Sequence, residues 1–342
     1  MSDVALIIHP DCLAHETGHH PEQPARLAAI WDALQAAPLP SRVSWLTPPP
    51  ATVPQLLRVH QEKLVDDVRA LAARGGGMID LDTIVSRRSY EAALLAAGGA
   101  IQAVRATWER PGRRAFALVR PPGHHATPET AMGFCLFNNL AIAARAALDE
   151  LGARRVAIVD FDVHHGNGTQ AAFLDDPRVL FCSLHQFPLY PGSGQAEEIG
   201  DGAGKGFTAN LPLPPGCGDL VYRAAFERVV EPLLRRFQPE IILVSAGFDA
   251  HWADPLAEMR VSTGGFVEMA QTIARLADEL CAGRLALTLE GGYDLNALAS
   301  SVVAVVMALA GETAADVLGP PPGGVLENVD AILGRVCQIH RL

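Results

Sequence analysis

The sequence predicts an α/β fold built on a mainly parallel sheet with helices on both faces. Three observations predict it. Short runs rich in Val, Ile and Leu are apolar on both alternating faces. The segments between them repeat apolar residues at helical spacing. The two kinds of segment alternate along the chain, as βα units do. A strand that is apolar on both faces belongs in a sheet covered on both sides.

In chain order, residues 4–8 form the first strand-like run, and 43–46 a weaker one. Between them Leu27, Ile30, Trp31 and Leu34 mark a helix. Leu94, Ala97, Ile101 and Val104 mark the next, ahead of the run 115–119. Runs 156–159 and 179–184 follow, then the weaker 207–211. Residues 220–237 look helical, but Pro232 should kink or divide them. After the run 241–244, Phe266, Met269, Ile273, Leu276 and Leu280 form a helical stripe, with Ser262 or Thr263 as its cap and Gly283 at its end. The run 285–289 is the last strand. A composition break, GPPPGG at 319–324, precedes an amphipathic pattern over about 325–340. That final helix packs either on its own body or on a second subunit, so a homo-oligomer stays open. With no internal repeat and no long linker, residues 1–342 read as one domain with a short tail.

Hydrophobic residues make up 49% of the chain and charged residues 19%, enough for a sizeable core. The formal net charge is −11, which leaves no basic footprint for nucleic acid. A cationic partner, such as a Lys-rich tail or a polyamine, is electrostatically easier. The sequence holds no uncharged apolar run long enough to span a membrane. Its start carries Asp3 and no basic region, which argues against a signal peptide. Six cysteines at 12, 135, 182, 217, 281 and 337 form no CxxC pattern and predict no disulfides, hence a reducing, cytoplasmic setting.

Each main strand-like run stops at unusual polar residues. Run 115–119 leads into RPPGHH, ending at His124 and His125. Run 156–159 leads into DFDVHHGNG from Asp160, and run 179–184 carries Ser183 and stops at His185. Run 241–244 leads to Asp249, His251 and Asp254, and run 285–289 to Tyr293. Parallel sheets bind ligands beyond the carboxyl ends of their strands. Asp160, Asp162 and His164 share one parity, so Asp162 and His164 can grip one ion. Asp249 is the choice for a third ligand. One His and two Asp leave a position open for water or substrate, as catalytic zinc requires. Zinc polarises a carbonyl and brings the pKa of a bound water to ~7.

These residues resemble a known family. RPPGHH (120–125), GFCLFNN (133–139), DFDVHHGNGTQ (160–170), SLH (183–185), YPGSG (190–194), GFDAHWADPL (247–256) and EGGY (290–293) resemble the histone-deacetylase superfamily. HPEQPARL at 20–27 is similar to its N-terminal element. HPE, Asn167 and ADPL resemble the class II branch and its bacterial amidohydrolase relatives. The resemblance implies an arginase-like three-layer fold, an eight-stranded mainly parallel sheet between helices. It implies Asp162, His164 and Asp249 as zinc ligands. It also implies His124 and His125 as an acid/base pair oriented by Asp160 and Asn167, and Tyr293 as a donor to the substrate carbonyl. Gly133, Phe134, Tyr190, Leu256 and Gly292 would shape the substrate channel. Asp82 would hold the substrate backbone, and Arg26 would line an exit path for the released acid or pair with a structural carboxylate. A structural K+ would sit beside the zinc on Asp160, Asp162, His164, Ser183 and Leu184, with a second site involving Phe173, Asp176 and Val179.

The activity implied is amide hydrolysis of N-acyl amines, acylated lysine peptides foremost, with acetylated polyamines as the alternative. Polyamine-selective relatives can place an acid at the position of Leu256, which favours lysine here. A non-catalytic acyl-lysine or metal-binding protein is the rival of another class; His124, His125 and Tyr293 disfavour it. Ureohydrolases share the fold but use two manganese ions and a further DxD where this chain reads Asp249-Ala-His251.

Overall fold

The computed structural model describes residues 3–326 and 328–342. Ten strands occur among them: β1 (Val4–Ile7), β2 (Val43–Leu46), β3 (Gly76–Met78), β4 (Ile84–Ser86), β5 (Arg114–Ala117), β6 (Val156–Asp160), β7 (Val179–Gln186), β8 (Thr208–Leu213), β9 (Ile241–Ala246) and β10 (Leu285–Leu289). Eight form one sheet in the order β2-β1-β5-β10-β9-β6-β7-β8. Every neighbouring pair in it is parallel. These eight are the eight runs expected from apolar patterning.

Alternation along each strand explains the three layers. Leu6, Phe116, Val159 and Leu287 pack into one core with the helices Pro24–Ala36, Thr263–Cys281 and Leu295–Leu309. Ala5, Ile7, Ala115, Ala117 and Ile158 pack into the other with Ser89–Glu109 and Asn139–Asp149. The second core is rich in alanine, which lets those helices lie close to the sheet.

Three local outcomes refine the expectations. Ser262, rather than Thr263, caps its helix, its side chain accepting from the Gly265 N–H. The segment holding Pro232 is divided by a π-helical turn, Phe226–Val230, between the helices Asp219–Ala225 and Glu231–Phe237. Proline lacks the N–H that would close an α-helical bond to the Arg228 carbonyl, and the Cys337 thiol donates to that carbonyl instead. The last helix is Asp330–His340, shorter than 325–340, because Leu326 bridges beside Cys217 and donates to the Gly216 carbonyl. Leu333 and Val336 of that helix are buried in the chain's own core.

The antiparallel pair β3–β4 lay outside the sequence reading. Its strands are three residues each, too short for an alternating pattern. Its turn places Asp82 in the lining of the cavity at the carboxyl-end rim of the main sheet.

Candidate active site at the strand ends

The ladder sets the first residues of the site. Asp160 ends β6 and stands level with Ser245 of β9 and Ser183 of β7. Beyond it the chain turns through Asp162 and His164, while β9 leads to Asp249. One ligand atom from each of Asp162, His164 and Asp249 lies within 4.8 Å of the others, and all three residues are buried.

Backbone donors fix this trio. His164 N–H donates to Asp162 Oδ1 at 2.9 Å and Gly291 N–H to Asp162 Oδ2 at 2.8 Å. Val163 N–H donates to Asp249 Oδ1 at 2.9 Å. Asp249 Oδ2 lies 3.3 Å from His164 Nδ1 but makes no well-formed hydrogen bond among the described residues. A buried carboxylate oxygen left in that state is costly. Burial opposes a charge on His164, but Asp162 and Asp249 outweigh it and raise its pKa to about 10. The site therefore draws positive charge, and its one-nitrogen, two-carboxylate donor set fits a single divalent cation. A Cβ on Gly291 would stand 2.0 Å from Asp249 Oδ2, so only glycine lets the backbone come this close.

Two histidines flank the trio in opposite states. His124 Nδ1 lies 3.0 Å from Asp160 Oδ2, and its Nε2 is 3.6 Å from Asp162 Oδ1. Burial disfavours its charged form, yet Asp162 and Asp160 raise its pKa to about 10. His125 Nδ1 lies 2.8 Å from the neutral Asn167 Oδ1. Burial and then the neighbouring His124 push the pKa of His125 well below the usual histidine range. Its Nε2 has no protein partner among the described residues.

A cavity of about 200 Å³ opens from this point to the surface. Asp82, Gly133, Phe134, Tyr190 and Leu256 line it, with His125, His164, Leu189 and Tyr293. Tyr190 is 37% exposed, which removes it from the core. Phe134 has φ +68°, a left-handed conformation that a bulky residue rarely adopts. Its N–H donates to Thr83 Oγ1, and its ring meets His20 and Tyr293 edge-on at 4.6 and 5.8 Å. Burial lifts the Tyr293 hydroxyl well above the usual phenol range, which keeps it a donor.

Gly292 is not among the residues that line the cavity; its carbonyl accepts from Arg26 Nε at 2.6 Å. Arg26 also donates to the Glu290 carbonyl at 2.6 Å and to Glu22 Oε1 at 3.2 Å. The structure thus places Arg26, fully buried, as a clamp on the loop before Tyr293. Ser183 Oγ pairs with His185 Nδ1 at 2.9 Å, and Leu184 is buried beside it. The Asp176 side chain is paired with Arg145 and Arg178, and the carbonyls of Phe173 and Asp176 accept from backbone N–H groups.

The sequence assigns no role to three residues that the structure brings to the site, although Asp254 stands among the polar residues at a strand end. Glu290 accepts from Gly123 N–H at 2.6 Å and His124 N–H at 3.2 Å. Burial, against the pull of His124, raises its pKa to about 7. Glu22 binds Arg120 through both oxygens at 2.6 and 2.8 Å. Asp254 accepts from Tyr293. The signal for Glu290 was present, since it ends an apolar run as Asp160 does.

Residues 20–309 match the family model described as histone deacetylase domain. The chain belongs to the histone deacetylase family. An Archaeoglobus fulgidus protein named "Probable deacetylase" is 42% identical over 310 residues, covering 90% of this chain and 86% of that one. A Pseudomonas aeruginosa protein named "Histone deacetylase-like amidohydrolase" is 42% identical over 293 residues, covering 85% and 77%. Among solved structures, one titled "Crystal Structure of HDA15 HD domain" superposes with TM-score 0.89 at 37% identity, covering 99% of this chain and 94% of that one. The sheet order and helical layers are accordingly those of a histone deacetylase, the arginase/deacetylase-type α/β fold.

Proposed function

We propose that this chain is a zinc-dependent deacylase that hydrolyses the amide of N-acyl amines, acetyl-lysine side chains foremost. One observation carries the reading. Asp162, His164 and Asp249 converge within 4.8 Å at the foot of a cavity that His125 and Tyr293 also line.

Zinc held by those three groups would supply Lewis acidity to the acyl oxygen and to water. His125 performs the proton transfers. With Nδ1 committed to Asn167, its Nε2 takes a proton from the attacking water and delivers one to the leaving amine. Its depressed basicity keeps it neutral at the start. His124, charged and paired with Asp160, stabilises negative charge and holds down the basicity of His125. The Tyr293 hydroxyl donates to the acyl oxygen as charge builds there. Phe134 and Tyr190 flank the methylene stem and exclude water from it. Arg26 keeps the loop before Tyr293 in place, and a path for the acid product runs past it. A structural K+ near Asp160, Asp162, His164, Ser183 and Leu184 belongs to the same proposal, as does a cytoplasmic location; no helix among the described residues is long and apolar enough to cross a membrane.

Asp82 supports a second reading. Its carboxylate lines the cavity, where it could accept a peptide N–H or meet the second ammonium of an acetylated polyamine. Leu256, also lining the cavity, offers that ammonium nothing. A competition panel of acetyl-lysine peptides, acetylpolyamines and longer acyl peptides, with and without chelator, tests both readings. Peptide turnover that chelator abolishes is expected. Preferred polyamine turnover would replace the substrate assignment, and turnover indifferent to chelator would overturn the zinc mechanism.

A further inference from the structure

A second pocket lies at the other end of the sheet. Its lining comes from the amino ends of β6, β7 and β8 and from the helix Glu231–Phe237. The catalytic residues occupy the carboxyl ends. The eight residues of β7 alone separate the two rims by roughly 25 Å. The volume is about 450 Å³, within the usual range for small-molecule sites.

The floor is apolar. Leu180 and Leu233 are buried, and Phe207 meets Phe237 edge-on at 5.8 Å. The rim is cationic, formed by Arg155, Lys205 and Arg236. None of these three forms an ion pair with a carboxylate among the described residues. Most of the other arginines do, including the neighbours Arg154, Arg178 and Arg235. Glu240, which follows the helix that carries Arg236, forms its ion pair with Arg154. Arg155 and Arg236 are instead held in place by backbone carbonyls, of Gln238 at 2.8 Å and His340 at 2.7 Å. In a chain of net charge −11, three cations around one apolar floor, none in an ion pair with a carboxylate among the described residues, are a specific departure.

We propose that this pocket binds a small amphiphilic anion, an acid head group on a hydrocarbon or aryl body. The head group meets Arg155, Lys205 and Arg236, and the body lies on Phe207, Phe237, Leu180 and Leu233. A carboxylate and a phosphate monoester share this chemistry. A cation or a neutral alcohol of the same length does not.

The test is calorimetric titration of the metal-replete protein with octanoate, octyl phosphate, octanol and octylamine. One or both anions should bind at least about tenfold tighter than octanol, with octylamine weakest. The tighter of the two anions names the head group. Lys205→Glu, at an exposed position, should weaken the anion about tenfold, and Arg155→Glu should do the same. Neither change touches the catalytic cavity, so weakening in both assigns the binding to the distal pocket. Anions that bind no better than octanol would overturn the proposal. So would variants that titrate like the parent while keeping its thermal transition, or an acidic peptide that binds where octanoate does not.

Discussion

Asp254 Oδ2 accepts the backbone N–H of Tyr293 at 2.6 Å. Its other oxygen accepts from the Leu256 N–H at 2.9 Å. One buried carboxylate therefore sets both the phenol and the residue at the cavity mouth. Burial and the nearby Asp249 raise its pKa to about 7. Asp254→Asn keeps only one accepting atom and turns an amide N–H towards a donor. Turnover should fall about tenfold to a hundredfold, the loss expected when such a bond is replaced by a clash of donors. Metal content per chain should stay at the parental value. Unchanged kcat would show that Tyr293 needs no such support.

Tyr293→Phe removes the hydroxyl and leaves the ring against Phe134 and beneath Arg26. The expected loss in kcat is ~10²–10³, typical for one donor to a developing oxyanion. KM and zinc stoichiometry should barely change. A variant that turns over normally removes Tyr293 from the mechanism.

Metal capture is testable at two depths. Asp249→Ala removes a ligand atom and should leave the purified protein without stoichiometric zinc. Gly291→Ala leaves every ligand in place but drives a Cβ to within 2.0 Å of Asp249 Oδ2 and 2.6 Å of Asp162 Oδ2. It too should lose zinc, as read by elemental analysis, while circular dichroism stays native. Full zinc content in either variant would contradict the assigned site.

His60 gives a pH prediction away from the metal. Its Nδ1 lies 2.9 Å from the Thr127 carbonyl, and its Nε2 accepts from the Asn138 N–H at 2.8 Å. The bond from Asn138 requires the neutral ring, because an Nε2 that accepts carries no proton. Burial, only partly offset by the Thr127 carbonyl, lowers its pKa to about 4. An unfolded histidine titrates near ~6.5. The unfolded chain therefore binds the extra proton between these values, and stability should decline as pH falls from about 6.5 to about 4. The full effect of this group is on the order of 3 kcal/mol. His60→Gln should flatten the decline between pH 7 and pH 5 in urea titrations; an unaltered slope would exclude His60 as its source.

The fold was legible because burial on both faces forces runs such as 156–159 and 285–289 to be apolar throughout. The candidate metal trio was legible in part because Asp162 and His164 follow a strand end at a spacing that a single ion can bridge. Other features left no such mark. The hairpin that carries Asp82 is three residues a strand, and Phe134 owes its place to a left-handed backbone that no periodicity encodes. Glu22 acts through Arg26 and Arg120, partners of which Arg120 is 98 positions away, so only the folded chain reveals the connection.

The order of the strands has a consequence for assembly. β6 and β9 are neighbours in space, but β7 and β8 lie between them in sequence, and Val163 and Asp249 are 86 positions apart. An ion bound across that junction ties off a long loop, whose closure entropy is otherwise met by packing alone. Chelation should then loosen the middle of the sheet before its edges, and hydrogen exchange in β6 and β9 would register the ion's departure first.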